Sequence, residues 1–410
     1  MTPGQCRACG AVLSRSCVDL GMTPLANSYV PFHRASDAEK FYPLHAKVCD
    51  TCFLVQLDAF EPPEHIFSDS YAYFSSFSSS WLRHAEAYAE AMIARFGLGM
   101  AAHIVEVASN DGYLLRWFVA RGRRVTGIEP AANCAAAAEA LGVPTEVTFF
   151  GAESAREIAA RRGRADLVVA NNVLAHVPDL RDFTAGFREI LAPEGVITFE
   201  FPHLLNLITL TQFDTIYHEH FSYLALHPVR RVLANQGLRV FDVEGLPTHG
   251  GSLRVFACHR GAAHVEAPSV AALLRREETA GLTDPATYSA FRARVVEVKN
   301  RTWEFLIAAQ RAGRLVCGYG APAKGNTFLN YCGIGPDHLA FTVDRNPAKQ
   351  NTLLPGSRIP VFDVAEITRR RPDDVLILPW NLTEEIVSEL ADIRAWGGRF
   401  VTAISELRIF

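Results

Sequence analysis

The sequence predicts an α/β protein in three parts: a small cysteine-stapled N-terminal domain, a central doubly wound domain and a C-terminal domain of similar, Rossmann-like kind. Three observations predict it. Two Cys-x-x-Cys pairs lie in the first sixth of the chain, short apolar runs alternate with helical periodicity from Ile104 to Cys258, and a second alternation runs from Leu315 to Ile404. The expected parts are residues 1–68, 69–262 and 263–410. A chain of 410 residues suits two or three domains.

Composition narrows the function classes. Hydrophobic residues make up 49% and charged residues 20%, as in an ordinary soluble globular protein. A net charge of −4 argues against a nucleic-acid partner. No apolar stretch approaches the ~20 residues that span a bilayer, and Met1–Cys6 has no signal-peptide character. The expectation is a cytoplasmic protein with no membrane partner, compatible with a monomer.

Cys6-Arg7-Ala8-Cys9-Gly10 and Cys49-Asp50-Thr51-Cys52 read as two metal-binding knuckles. In such a knuckle backbone N–H groups turn toward the thiolates, and two of them complete a tetrahedral S₄ zinc site. Thiolates take all four positions, so the zinc is expected to be structural. Cys17, Cys134, Cys258, Cys317 and Cys332 read as packed thiols.

An aromatic and serine-rich stretch, Tyr71–Ser80, leads into a helix expected from Trp81 to Phe96, with Leu82, Ala85, Ala89 and Met92 at helical spacing. Strands are expected at Ile104–Val107, Val125–Ile128, Leu167–Ala170 and Val196–Phe201, with helices Ala131–Leu141 and Leu180–Leu191 among them. Arg239–Val243 and Ser252–Cys258 read as closing strands of the same sheet. The first strand carries Glu106 and ends in Ser109-Asn110-Asp111-Gly112, and the second ends in Glu129. Such a turn, with an acid closing the next strand, holds a nucleoside: small residues admit the backbone and the acid accepts the ribose hydroxyls. No G-x-G-x-x-G cradles a pyrophosphate, which favours S-adenosylmethionine (SAM) over NAD. A tight structural turn with a surface Glu129 is the alternative.

Asn171-Asn172-Val173-Leu174-Ala175-His176 is not the Asn-Pro-Pro-Tyr of an exocyclic-amine methyltransferase. His176 leaves the carboxyl edge of the sheet, as a ligand or as a helix cap. Tyr217-His218-Glu219-His220 sits among aromatics, and its i, i+2 histidines suit a loop. A proton-transfer site fits this string better than a metal site, since a carboxylate beside a histidine orients it and raises its basicity. Further on, a polar helical stretch from Val265 to Gly313 precedes strands at Leu315–Tyr319, Ala340–Val343, Val375–Leu378 and Phe400–Ile404. Gly318-Tyr319-Gly320-Ala321-Pro322-Ala323 fits G-x-G-x-x-A, with Asp344 closing the next strand. That is an NAD fingerprint in form, but Pro322 and Lys324 point instead to an anionic group. Ser75 and Ser78 are phosphate contacts or part of a solvated loop.

Taken in order, the knuckles, Tyr71–Ser80, Glu106–Gly112, Asn171–His176, Tyr217–Tyr223, Thr248–Arg254 and Gly318–Asn326 resemble the zinc-containing, SAM-dependent nucleotide-sugar C-methyltransferases over essentially the whole chain. These include the dTDP-sugar C-3′-methyltransferases of branched deoxysugar and antibiotic biosynthesis. The resemblance implies that C-3′ of a dTDP-linked 4-keto-6-deoxysugar is deprotonated and that the enolate is methylated. It implies His220 as base with Glu219 beside it, and Tyr217, His176 and Tyr71 on the sugar or its developing enolate. Glu106, Ser109, Asn110, Asp111, Gly112, Glu129 and Asn171 would hold SAM. Tyr71, Ser75, Ser78, Lys324 and Asn326 would hold the nucleotide-sugar. Two other readings are an NAD(P)-dependent ketosugar oxidoreductase working through the C-terminal half and a non-catalytic zinc-ribbon module.

Overall fold

A computed structural model describes residues 4–60 and 74–410. Tyr71, named above as a substrate and catalytic residue, lies outside them. The chain forms two compact units, each assembled from separate stretches. The first takes the described residues of Met1–Leu13, Cys49–His203 and Phe221–Thr279; the second takes Ser14–Val48, Leu204–His220 and Ala280–Phe410.

Seven strands form the sheet of the first unit: β1 His103–Val107, β2 Arg124–Ile128, β3 Thr145–Glu146, β4 Ala165–Asn171, β5 Leu191–Pro202, β6 Leu238–Leu246 and β7 Ser252–His259. Their order is β6-β7-β5-β4-β1-β2-β3. The pairs among β1 to β5 are parallel, while β7 is antiparallel to both β5 and β6. Flanked by β2 and β4, β1 sits at the switch point where a doubly wound sheet opens its ligand crevice.

Side chains alternate across the strands into two core layers. Val105, Val107, Val168, Ile197 and Phe199 face a layer that also contains Cys6, Cys49, Cys52 and Leu54. Ile104, Leu167, Val169 and Val196 face the other, which holds Ala85, Tyr88, Ala89 and Met92 of the helix Ser79–Phe96. The knuckles are therefore part of the central sheet's own core. That helix starts two residues before the expected Trp81, because the Ser78 hydroxyl caps it by accepting from Trp81 N at 3.3 Å.

The polar stretch after β7 is two helices, Pro268–Thr279 and Pro285–Arg311. Gly281 in the left-handed region (φ 76°) and an Asp284 cap followed by Pro285 separate them.

The second unit carries a sheet of β8 Val316–Tyr319, β9 Thr342–Val343, β10 Thr352–Leu353, β11 Pro360–Phe362, β12 Asp374–Ile377, β13 Arg399–Thr402 and β14 Arg408–Ile409. Its order is β14-β13-β12-β8-β9-β11-β10, with Val30–Pro31 pairing antiparallel to β10 at the edge. Residues between the two knuckles thus enter the second unit. The same stretch contributes an antiparallel pair, Arg15–Thr23 with Tyr42–Val48. Among the described residues no helix is long and apolar enough to cross a membrane.

Candidate functional site

Cys6 and Cys52 sulfurs lie 3.5 Å apart, as do those of Cys9 and Cys49, and all four fall within 4.8 Å of one another. A tetrahedron with Zn–S bonds of about 2.3 Å has edges of about 3.8 Å, so the four sulfurs fit one zinc ion. Gly10 N donates to Cys6 O at 2.8 Å and Phe53 N to Cys49 O at 2.9 Å, closing each knuckle through a left-handed residue. The hydrogen bond from Cys52 draws the Cys6 thiol down to about 5, against its burial, while the Cys52 thiol rises. Buried Arg7 lies beside the pair, its guanidinium donating to Leu57 O and resting 5.3 Å from the Phe221 ring.

At the carboxyl edge of β1 the backbone is strained. Ala108 and Asn110 take left-handed φ values of 56° and 49°, a region that non-glycine residues enter at a cost and that clusters at functional sites. Gly112 (φ 74°) also packs so closely that a Cβ would lie 3.2 Å from Ala138. Glu129 closes β2 and accepts from Asn110 N and Ala131 N, both at 2.9 Å. A carboxylate accepts about four hydrogen bonds, so capacity for two ribose hydroxyls remains.

Several buried polar atoms here have no partner among the described residues: Glu106 Oε2, Ser109 Oγ, Asp111 Oδ1 and both side-chain polar atoms of Asn171. Leaving them dry costs stability, and a polar ligand satisfies them. Burial raises Glu106 well above the ordinary carboxylate range, with Asp111 and Glu129 adding to the rise, and burial raises Glu129 as well. SAM carries an ammonium and a sulfonium, and two positive charges suit three clustered acids. The residues present therefore fit SAM.

The serine stretch docks onto this turn. Ser75 N donates to Asn110 Oδ1 at 2.8 Å and Ser76 N to Asp111 Oδ2 at 3.1 Å. Sequence reasoning missed an aromatic and ionic cluster in the same unit. The Trp81 ring stands 4.8 Å from His84, 6.0 Å from Tyr113 and 5.2 Å from His249. His84 Nε2 is 2.8 Å from Glu200 Oε2, and Arg254 Nε donates to Glu200 Oε1 at 2.7 Å. The signal was present in Thr248–Arg254, but nothing in the string names Glu200 as the partner of Arg254. His176 ends the short 3₁₀ turn Leu174–His176 that leaves β4, and is half-buried.

In the second unit, the 3₁₀ turn Phe213–Thr215 leads into Tyr217-His218-Glu219-His220. His220 Nδ1 lies 3.0 Å from Thr215 O. A carbonyl only accepts, so Nδ1 carries the hydrogen and Nε2 carries the lone pair. The Tyr217 and His220 rings lie 4.0 Å apart. His218 is buried, with Nε2 at 3.2 Å from Pro43 O, and burial pulls it below the usual imidazole range. The two histidines thus meet different carbonyls through opposite ring nitrogens, His218 through Nε2 on the Tyr42–Val48 strand and His220 through Nδ1 on the preceding turn. Glu219 Oε1 accepts from Asn27 Nδ2 at 2.7 Å, and burial raises its carboxyl. Thr327 Oγ1 donates to Ile216 O at 3.0 Å, tying the loop to the helix Ala323–Cys332.

At the G-x-G-x-x-A turn, Asp344 accepts from Ala321 N at 2.7 Å and from Asn346 N at 2.8 Å, with Lys349 Nζ at 4.0 Å. Ala321 O receives both the Tyr29 hydroxyl and Lys349 Nζ. Lys324 donates to Asn381 Oδ1 at 2.5 Å and lies 4.6 Å from the Trp380 ring. Asp214, which the sequence alone did not single out, is fully buried and accepts from Trp380 Nε1 at 2.7 Å. Burial raises it to about 6 while the Lys324 charge pulls it back. Asn326 donates to Ala26 O at 2.7 Å, and its Oδ1 has no partner among the described residues. Lys324 and Asn326 thus share one helix of the second unit. Ser75 and Ser78 lie in the first unit, where the Ser78 hydroxyl is already the helix cap.

Residues 6–67 match a zinc binding domain, 81–243 a methyltransferase domain and 247–405 the C-methyltransferase C-terminal domain. The C-methyltransferase NovU of Streptomyces niveus is 37% identical over 405 residues, 99% of this chain and 96% of that protein. Among solved structures, magnesium protoporphyrin IX methyltransferase of Synechocystis PCC 6803 is 13% identical, covering 43% of this chain and 83% of that one at a TM-score of 0.35. The glycopeptide N-methyltransferase MtfA is 18% identical, covering 43% and 96% at a TM-score of 0.35.

Proposed function

The chain belongs to the C-methyltransferase family and is a SAM-dependent, zinc-containing methyltransferase, and from that premise we propose that it methylates C-3′ of a dTDP-linked 4-keto-6-deoxysugar in branched deoxysugar biosynthesis. The observation that carries the reading is the Nδ1 contact of His220 with Thr215 O at 3.0 Å, which leaves Nε2 as the basic atom.

In this reading Nε2 of His220 takes the C-3′ proton, whose acidity comes from the neighbouring ketone. The electron pair moves into an enolate, and Tyr217, His176 and Tyr71 are the candidate donors to the oxygen where charge develops. Glu219 steadies the imidazolium. SAM, when bound, supplies the methyl electrophile that C-3′ takes up. Glu106, Ser109, Asn110, Asp111, Gly112, Glu129 and Asn171 hold it, with carboxylates for its positive charges. Lys324 and Asn326 of the C-terminal part (263–410), with Ser75 and Ser78, bind the diphosphate and sugar of the substrate.

The test separates deprotonation from methyl transfer. With S-adenosylhomocysteine present and a dTDP-linked 4-keto-6-deoxyhexose in D₂O, the wild-type enzyme exchanges deuterium into C-3′. A general base is worth about 10²–10⁴, so His220→Asn is expected to slow exchange by at least about 100-fold while SAM affinity holds. Undiminished exchange in that variant removes His220 as the base.

A further inference from the structure

We propose that Asn27 is a positioning residue of the proton-transfer loop, its side-chain amide clamping the Glu219 carboxylate in one orientation. The inference rests on the proton-transfer reading above and deepens it. Asn27 and Glu219 are 192 residues apart in sequence, yet Asn27 Nδ2 stands 2.7 Å from Glu219 Oε1. That contact is one of three ties at a single short segment. Asn326 Nδ2 donates to Ala26 O at 2.7 Å, and the Tyr29 hydroxyl donates to Ala321 O. The segment Ala26–Tyr29 is therefore held on both sides to the turn and helix that also fix Ile216 through Thr327.

The loop itself does little to fix its glutamate. Tyr217–His220 belongs to no helix or strand, and its own backbone contributes the bond from His220 N to Tyr217 O at 2.9 Å. A half-buried glutamate there has three side-chain torsions to order, and one anchored donor at the carboxylate orders them. The donor also opposes the effect of burial, which favours the protonated acid. The other titratable neighbours are Tyr29 on the clamping segment, Asp344 beyond it, Lys349 over the Tyr29 ring, and His218 and His220 on the loop. The Asn27 amide donates to Glu219 without adding a charge of its own.

The experiment is the pH profile of C-3′ deuterium exchange with a dTDP-linked 4-keto-6-deoxyhexose, run on the full chain. Asn27→Leu, Tyr29→Phe and Glu219→Gln are compared with wild type, each checked for an unchanged unfolding temperature. Loss of the donor leaves Glu219 easier to protonate. The acid limb of Asn27→Leu is therefore expected to move up by about half to one pH unit, the span of one ordinary hydrogen bond. Tyr29→Phe cuts a neighbouring tie that does not touch Glu219, and its acid limb is expected to stay in place. Asn27→Gln, which keeps the amide, is expected to recover part of the shift. An unmoved limb in Asn27→Leu, with Glu219→Gln impaired, overturns this inference alone, as does an equal shift in Tyr29→Phe. Full exchange in Glu219→Gln overturns the role of Glu219 in the proton-transfer reading and the inference with it.

Discussion

The Ser109–Gly112 turn and the Gly320–Ala323 turn use the same device. Each follows a strand at the centre of a parallel array, and each hands a backbone N–H to the acid closing the next strand: Asn110 N to Glu129 at 2.9 Å, Ala321 N to Asp344 at 2.7 Å. Their surroundings differ. Around the first, Glu106, Ser109, Asp111 and Asn171 keep buried polar atoms without partners among the described residues. Around the second, Asn346 N and Lys349 attend Asp344, and Tyr29 and Lys349 occupy Ala321 O. The second turn has the better dinucleotide string but fewer buried polar atoms without partners among the described residues. Unspent hydrogen-bonding capacity marks a ligand site more reliably than a glycine pattern does.

The largest effect expected from breaking this contrast comes from zinc. Three of its four ligands lie in the core layer that Val105 and Val107 of β1 face, and Cys9 packs against it, so removing the metal attacks the unit with the Ser109–Gly112 turn directly. Structural zinc contributes on the order of 10 kcal/mol in small zinc domains. Chelation, or Cys49→Ser, is expected to abolish SAM binding in calorimetry and to remove the first unit's cooperative unfolding. Zinc-free protein that binds SAM normally contradicts the placement.

Next come the two acids. Glu129→Ala is expected to weaken SAM binding by about 10–100-fold, the worth of one or two hydrogen bonds to a carboxylate. Asp344→Ala is expected to leave SAM affinity within about twofold, a change inside ordinary mutational scatter. NADPH is expected not to quench the tryptophan emission of the wild-type protein. Quenching that Asp344→Ala abolishes would restore the oxidoreductase reading.

Asp214 gives a smaller, pH-dependent effect in the second unit. Its folded value of about 6 lies above the unfolded 3.8, so the folded state holds the proton longer and stability falls as pH rises between those values. Asp214→Asn is expected to flatten the unfolding temperature across that window and to raise it above the window relative to wild type. An unchanged slope shows that the carboxylate is better solvated than its burial implies.

The smallest effect belongs to the helix cap beside the Ser109–Gly112 turn. Ser78→Ala is expected to cost about 1 kcal/mol, lowering the unfolding temperature by about 2–4 °C with SAM affinity little changed.

Six strands of the central sheet were legible in the sequence because each is a local apolar run, and a run declares itself without reference to its partners; the edge strand Thr145–Glu146, two polar residues, was not. The knuckles were legible for a similar reason, since spacing alone defines them, and Glu129 follows from its place after β2. The destination of the segment between the knuckles was not. Its buried Cys17, Val18, Leu20, Leu44 and Ala46 announce strands, but alternation does not say which sheet receives them. Asn27 on Glu219 and Trp380 on Asp214 were equally hidden, being single contacts across 192 and 166 residues, and so was Arg254 on Glu200, a cross-strand pair of β7 and β5 separated by 54 residues. Tyr217–His220 stood out by composition, but the carbonyls of Thr215 and Pro43 that His220 and His218 meet were not legible in it.

Labelled methyl transfer reads out the proposed carbon methylation next to a ketone. With methyl-¹³C SAM and a dTDP-linked 4-keto-6-deoxyhexose, the carbon NMR spectrum of the product is expected to show the label bonded to C-3′, with the C-3′ proton gone. A label on oxygen or nitrogen, or a C-3′ proton retained beside a transferred methyl, would contradict it.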